Sequence, residues 1–425
     1  MVDLILPFIG GEHPFSPADF EAIEMASVLM DAESERKKKE TFLGIYKTYL
    51  PLWIISIDGR NGIMVEALIL NTDHFRMRRF DKATDLDPQR DLTPGTIDDF
   101  ISKLRHYESR INAYQKETSI KLDGYLNPSI AAEVRLLFDY LEQRNIHEFM
   151  IMSKRLSQQS AELMCAPIIS AFHVDVQKII HDFYQIPIII NSQLLELFSE
   201  FGNVTREYVS KVRDLSQKTS MVKPDDTFKT QNRMANNLTN ELLSFRDAKN
   251  RSIKHLRGQW DEISNINEKI QHGYLNLISS VFKTKSQVLE LGAPLDRASQ
   301  RGEAFSVLMP IYLAIFKEKK NRVAYFPPLI LNFAKKKDLT RPKGLETLKH
   351  QMDHAYTKKL PPGISEIEDQ NLLSQPSTQQ LFNDGVHKLR ETKIIDSKTY
   401  VRIMDAYNEF FQKAYASGTP PKTQL

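Results

Sequence analysis

Cysteine is nearly absent from this 425-residue chain: Cys165 is the only one, so no intramolecular disulfide can form. That fits a reducing compartment. Cys165 stands in the apolar stretch 163–172, where a small buried hydrophobe is the expected role, not a reactive thiol. Glycine is scarce as well, with 16 residues, and no Gly-rich phosphate-binding loop of either common spacing occurs. Nucleotide hydrolysis therefore lacks its usual backbone cradle and lysine. No Gly-x-Ser-x-Gly elbow exposes a nucleophile, which disfavours covalent hydrolysis. Long apolar runs are missing too. The most membrane-like stretch, 183–195, contains Gln185, Asn191, Ser192 and Gln193 and is broken by Pro187, whereas a spanning helix needs roughly twenty apolar residues. The opening residues place Asp3 before a brief apolar run and have no basic region, unlike a secretory signal. No transmembrane segment is expected, and the expected location is cytoplasmic.

What is present points to a folded protein of more than one unit. A hydrophobic fraction of 41% with 26% charged residues and a mean hydropathy of −0.39 suit a globular chain. Its length exceeds that at which a single core keeps growing.

Two apolar hairpin patterns flank some two hundred mostly helical residues. The first runs from Leu50 to Asn71 and turns at 58–62, where Asn61-Gly62 is the expected turn pair because both tolerate positive φ. The second runs from Met309 to Asn332 around a charged turn. Each places a proline before an aromatic and closes on Leu-Ile-Leu-Asn. A lone hairpin is marginal, so the two are expected in one sheet. The expected fold class is α+β, mostly α: a small β-hairpin-containing head built from both ends, with a long helical-bundle or coiled-coil central region.

The expected boundaries are 1–92 for the first part of the head, 93–291 for the helical arm, 292–361 for the second hairpin with its basic segment, and 362–425 for a linker and C-terminal helix near 397–416. Residues before Leu50 read as an amphipathic helix carrying Phe20, Ile23, Ala26, Val28 and Leu29, then a second short helix. Asn127-Pro128 is a cap and first-turn pair ahead of Ile130, Val134, Leu137, Phe138 and Leu141. Residues 145–185 continue mostly helical, and Pro187 is expected to end or kink that helix.

The clearest periodicity follows. Ile253, Leu256, Trp260, Ile263, Asn267, Ile270, Tyr274, Leu277 and Val281 alternate by three and four, a heptad seam with an asparagine inside it. The segment 194–215 is expected to fold back antiparallel as its partner. Gly258 and Gly273 weaken the idea of a single helix; both fall off the seam, where glycine costs propensity and not packing. A seam longer than its cover implies that the remainder packs on the earlier helices, on a second copy of the chain, or on a different protein.

Charge supplies the alternative. Net charge is only +3, but from Val307 to Pro361 twelve Lys or Arg stand against four acids. Lys317, Lys319, Lys320 and Arg322 crowd the second turn, followed by Lys335, Lys336, Lys337, Arg341 and Lys343, with Tyr325 and Phe326 nearby. Such a cluster could neutralise the phosphates of a nucleic acid. Against that, a charged turn also keeps a sheet edge soluble, and Tyr325-Phe326 read as core.

Catalytic groupings are weak. His173 and His181 lie about 12 Å apart along a straight helix, too far to share one ion. His350 and His354 have chelating spacing but no third ligand, and read as a solvated face. Asp58 is explained by its turn, and Glu66 is expected to face water. No cofactor or metal is expected. A non-enzymatic interaction or scaffolding protein is the leading reading, nucleic-acid binding the second, and an enzyme with a composite site the third.

Overall fold

The computed structural model describes residues 3–10, 15–16, 19–78, 80, 85–93, 95–114, 117–147, 150–220, 228–294, 304–318, 320–332, 338–356 and 371–416. The strands, in chain order, are β1 (Asp3–Ile5), β2 (Ile9–Gly10), β3 (Thr41–Ser56), β4 (Asn61–Glu66), β5 (Thr72–Arg78), β6 (Glu117–Asp123), β7 (Glu142–Arg144), β8 (Ala293–Pro294), β9 (Ala304–Lys317), β10 (Asn321–Phe326), β11 (Leu329–Asn332) and β12 (Asp338–Thr340). The helices are α1 (Phe20–Glu35), α2 (Pro88–Asp91), α3 (Ile97–Ala113), α4 (Pro128–Arg135), α5 (Gln158–Phe172), α6 (Val176–Ser220), α7 (Phe228–Leu291), α8 (Lys343–Ala355), α9 (Pro376–Glu391) and α10 (Ser397–Ala416). With 62% helix and 21% strand, the protein is α+β and mostly α.

The chain forms two compact units. One comprises Met1–Arg76, Ser119–Ile169 and Ser286–Leu425; the other comprises Met77–Thr118 and Ser170–Lys285.

The first unit is built on a seven-stranded mixed sheet ordered β7-β1-β9-β3-β4-β8, with β10 also on β9. Its spine is the antiparallel pairing of β3 with β9, from Thr41↔Lys317 to Ile55↔Ala304. The β3–β4 and β9–β10 hairpins thus lie in one sheet, whereas Leu329–Asn332, the expected close of the second hairpin, is β11 of a separate three-stranded sheet ordered β12-β11-β2. The strands read as continuous apolar runs because both faces are covered. On β9, Val307, Met309, Ile311, Leu313 and Ile315 share a core with α4 residues Ile130 and Val134 and α8 residues Leu345 and Leu348. The alternate Tyr312, Ala314 and Phe316 share the other core with Ile23 and Leu29 of α1, Phe382 and Val386 of α9, and Tyr407 of α10.

Several local expectations give way here. Residues 41–50 are strand, not a short helix, because β3 runs sixteen residues to match β9. The first turn is made by Asp58 and Gly59: Asp58 accepts the N–H groups of Arg60 and Asn61, and Gly59 takes φ +84°. Asn61 and Gly62 already belong to β4. The helix capped by Asn127 stops at Arg135 and is followed by a 3-10 turn at Phe138–Tyr140. Residues 145–147 and 151–157 are not helical; Trp53 on β3 anchors the second of these stretches by donating to the Leu156 carbonyl, 2.9 Å. Residues 119–169 therefore belong with the sheet, although the hydrophobic pattern placed them in the arm.

The second unit contains α3, α6 up to its end, and α7 through Lys285. No single helix among the described residues is long and apolar enough to cross a membrane.

Candidate interaction surface

α6 and α7 form an antiparallel hairpin with a constant register. Phe183 meets Tyr274 at 6.1 Å between ring centroids, Phe198 meets Trp260 at 6.2 Å, Lys249 lies over the Tyr208 ring at 4.4 Å, and Lys218 approaches Glu241 at 3.8 Å. α7 spans 64 residues without a break, roughly 96 Å at the usual rise. α6 runs through Pro187. A helix-interior proline costs about 3 kcal/mol or more; burial of Ile179, Ile186, Ile190 and Leu197 offsets that loss.

The seam divides in two. Ile263, Ile270, Tyr274, Leu277 and Val281 are fully buried, and Leu256 nearly so. Trp260 is 38% exposed and Ile253 half-buried. Asn267 is only half-buried, and Gln271 of its own helix donates to it at 3.2 Å, so it does not fix a register. Ile266, outside the expected seam, takes the buried position.

The division coincides with the start of α3. That helix, capped by the Thr96 side chain, runs alongside α7 in the same direction: Gln259 donates to Asp98 at 2.8 Å, Arg105 pairs with Glu262, and Ile111 lies under Gly273. A Cβ on Gly273 would come within 2.7 Å of the Ile111 Cγ2, whereas one on Gly258 would meet nothing within 4 Å. Gly273 is thus a packing residue, contrary to its expected role, and Gly258 is not. Between α3 and α7 the buried Tyr107 and Tyr274 hydroxyls share a 2.5 Å hydrogen bond. Burial raises both phenols well above the ordinary tyrosine range.

Beyond Gln259 the hairpin has no third helix among the described residues. An apolar cleft of about 330 Å³ opens there, lined by Leu197, Phe198 and Phe201 from α6 and by Ile253, Leu256, Arg257 and Trp260 from α7. Phe198 is 65% exposed. One turn before Leu197 on the same helix face, Gln193 is buried with neither amide atom hydrogen-bonded. Tyr184, Ile188, Leu195 and Val209 of α6 and Leu275 and Phe282 of α7 are also exposed.

The basic candidates belong to the other unit, the one built on the sheet. Lys317, Lys320 and Lys343 are exposed. Arg322 is committed to Glu40 at 2.6 Å and covers the Phe316 ring at 4.3 Å; the guanidinium holds the Glu40 carboxyl down at about 2. Arg341 pairs with Asp31 at 2.6 Å and Glu346 at 3.3 Å. Lys319, Lys335, Lys336 and Lys337 lie outside the described residues. Tyr325 and Phe326 are fully buried, so neither is presented for stacking.

The catalytic candidates resolve into structural parts. Glu66 is 1% exposed, not solvated, and accepts the Leu68 N–H at 2.7 Å and the Leu70 N–H. Burial pushes its carboxyl up to about 8. It shapes its own loop, in which Ile69 takes φ +58°. Cys165 is fully buried, and burial pushes its thiol up to about 12. His350 and His354 lie on an exposed face of α8, and no group of three His, Cys, Asp or Glu among the described residues is placed to hold a metal. No protein-family model matches the chain, and neither does any curated protein or solved structure.

Proposed function

We propose that this is an interaction or scaffolding protein that presents an apolar cleft at mid-length of its α6/α7 hairpin to another protein chain. The observation that carries the reading is the aromatic cleft: Phe198, Phe201 and Trp260 gather on one flank and stay partly open to solvent. Exposed apolar surface carries a solubility cost unless another surface covers it. Buried aromatics are the side chains that dominate association energies once water is excluded. A photo-crosslinking amino acid in place of Trp260 should give protein adducts in cells, and one in place of the exposed Lys320 should not. Adducts at neither Trp260 nor Phe198 would defeat the reading.

The alternative is a polyanion-binding face made by Lys317, Lys320 and Lys343. It predicts nucleic-acid affinity that falls steeply with salt. With Arg322 and Arg341 held by carboxylates, this face keeps fewer free cations than the sequence pattern offered, which is why it ranks second.

A further inference from the structure

We infer that the α6/α7 cleft seats an acidic amphipathic helix of a partner protein; this rests on the interaction reading above. An antiparallel helix pair has a groove on each flank, and α3 occupies one of them from Gln259 onward. At about 100° per residue, Ile253 and Trp260 lie on the opposite flank of α7 from Glu262 and Gly273. The cleft is therefore the vacant counterpart of the groove that α3 fills, and its natural occupant is another helix. Phe198 and Phe201, three residues apart on α6, line this one cleft, and a helix presents knobs at the same spacing of three or four residues.

Charge decides which helix. From Arg246 to Arg257, α7 carries five Lys or Arg and one acid, Asp247. Arg246, Lys249 and Arg257 fall on the cleft flank of the wheel. Arg257 lines the cleft, is exposed, and has no ion-pair partner among the described residues. On α6 the cleft flank holds Leu194, Phe198, Phe201, Thr205 and Val212, while Glu196, Glu200 and Glu207 turn towards the other flank. The apolar floor thus has a basic rim in which Arg246 is paired with Asp247 at 3.1 Å, while Lys249 and Arg257 have no ion-pair partner among the described residues. A second copy would bring the same cations against this rim, and like charges across an interface cost affinity. A helix with apolar knobs and Glu or Asp flanks complements both features.

The test uses the intact protein and Trp260 fluorescence. Of the two tryptophans, Trp53 is buried and bonded to the Leu156 carbonyl, so a change on binding reports Trp260. The probes are a synthetic amphipathic peptide with Leu and Phe knobs and Glu flanks, and the same peptide with Lys replacing every Glu. The Glu peptide should shift the emission to shorter wavelength and bind at least about tenfold more tightly than the Lys peptide at low salt, with the gap closing as salt rises. Arg257→Glu should reverse the preference; its side chain is exposed, and an unchanged circular-dichroism melt confirms the fold. Equal affinity for the two peptides, preference for the Lys peptide, no binding of either, or saturable RNA binding that displaces the Glu peptide overturns the inference. Light scattering separates the two claims. An oligomer dissolved by Trp260→Ala, with no peptide binding, retains the interaction reading and discards the acidic helix; a monomer that binds neither peptide and gives no crosslinks discards both.

Discussion

The two halves of the α6/α7 hairpin share a register, a helix type and one apolar seam, yet differ in what covers them. In the half that holds Ile263 to Val281, α3 lies along the pair and the seam is sealed. In the half beyond Gln259, the same periodicity leaves Trp260 and Phe198 in solvent. Heptad spacing thus specifies which residues face a neighbour, while the sequence of the helix itself does not say how many neighbours arrive.

Substitutions can break or sharpen this contrast. The largest effect is expected from Ile270→Ala, which empties a fully buried site and should cost about 2–5 kcal/mol of unfolding free energy. Trp260→Ala should cost no more than about 1 kcal/mol, as exposed positions do. Urea unfolding followed by circular dichroism compares them, and equal losses would mean that the outer half is not bare. Gln193→Met should stabilise by about 1–3 kcal/mol, because it removes a buried amide that bonds nothing; a loss of stability would show that the amide has a partner in solution. Gly273→Ala should destabilise by about 1–3 kcal/mol through collision with Ile111. Gly258→Ala, fifteen residues away in the same helix and facing open space, should stabilise by about 0.5–1 kcal/mol from helix propensity alone. Opposite signs for the two glycines, read from melting temperatures, would locate the edge of the α3 cover between them.

The sheet was legible because its strands are apolar on both faces. Met309 to Phe316 and Leu52 to Ile57 leave no solvent side, which requires cover above and below. Residues 41–49 misled because Thr41, Lys47 and Thr48 dilute the apolar signal; Lys47 is held inside by Glu24 at 2.5 Å, an ion pair no local pattern shows. α9 carried a readable stripe, Phe382, Val386 and Leu389, but the Pro-rich residues before it read as linker, although Pro376 is its first residue. For the candidate surface, the seam was visible and its division was not. α3 covers the flank opposite Trp260 and is packed there through Ile111 against Gly273, a contact between residues more than 160 positions apart. The basic cluster failed as a list of free cations for a related reason: Glu40 and Asp31, which hold Arg322 and Arg341, lie some 280 and 310 positions upstream.

The pairing of β3 with β9 has a consequence for synthesis. Roughly 250 residues separate the two strands, and at about 5–20 residues per second a ribosome needs on the order of 10–50 seconds to deliver the second after the first. During that interval β3 waits with its apolar faces and an edge unpaired, while the helical hairpin, whose contacts are mostly local, can already form. A pause or premature stop anywhere before β9 leaves the central strand without its mate, an open edge of the kind that pairs with other chains. Prompt arrival of the far segment, or something that shields β3 until then, is part of what this topology demands of the cell.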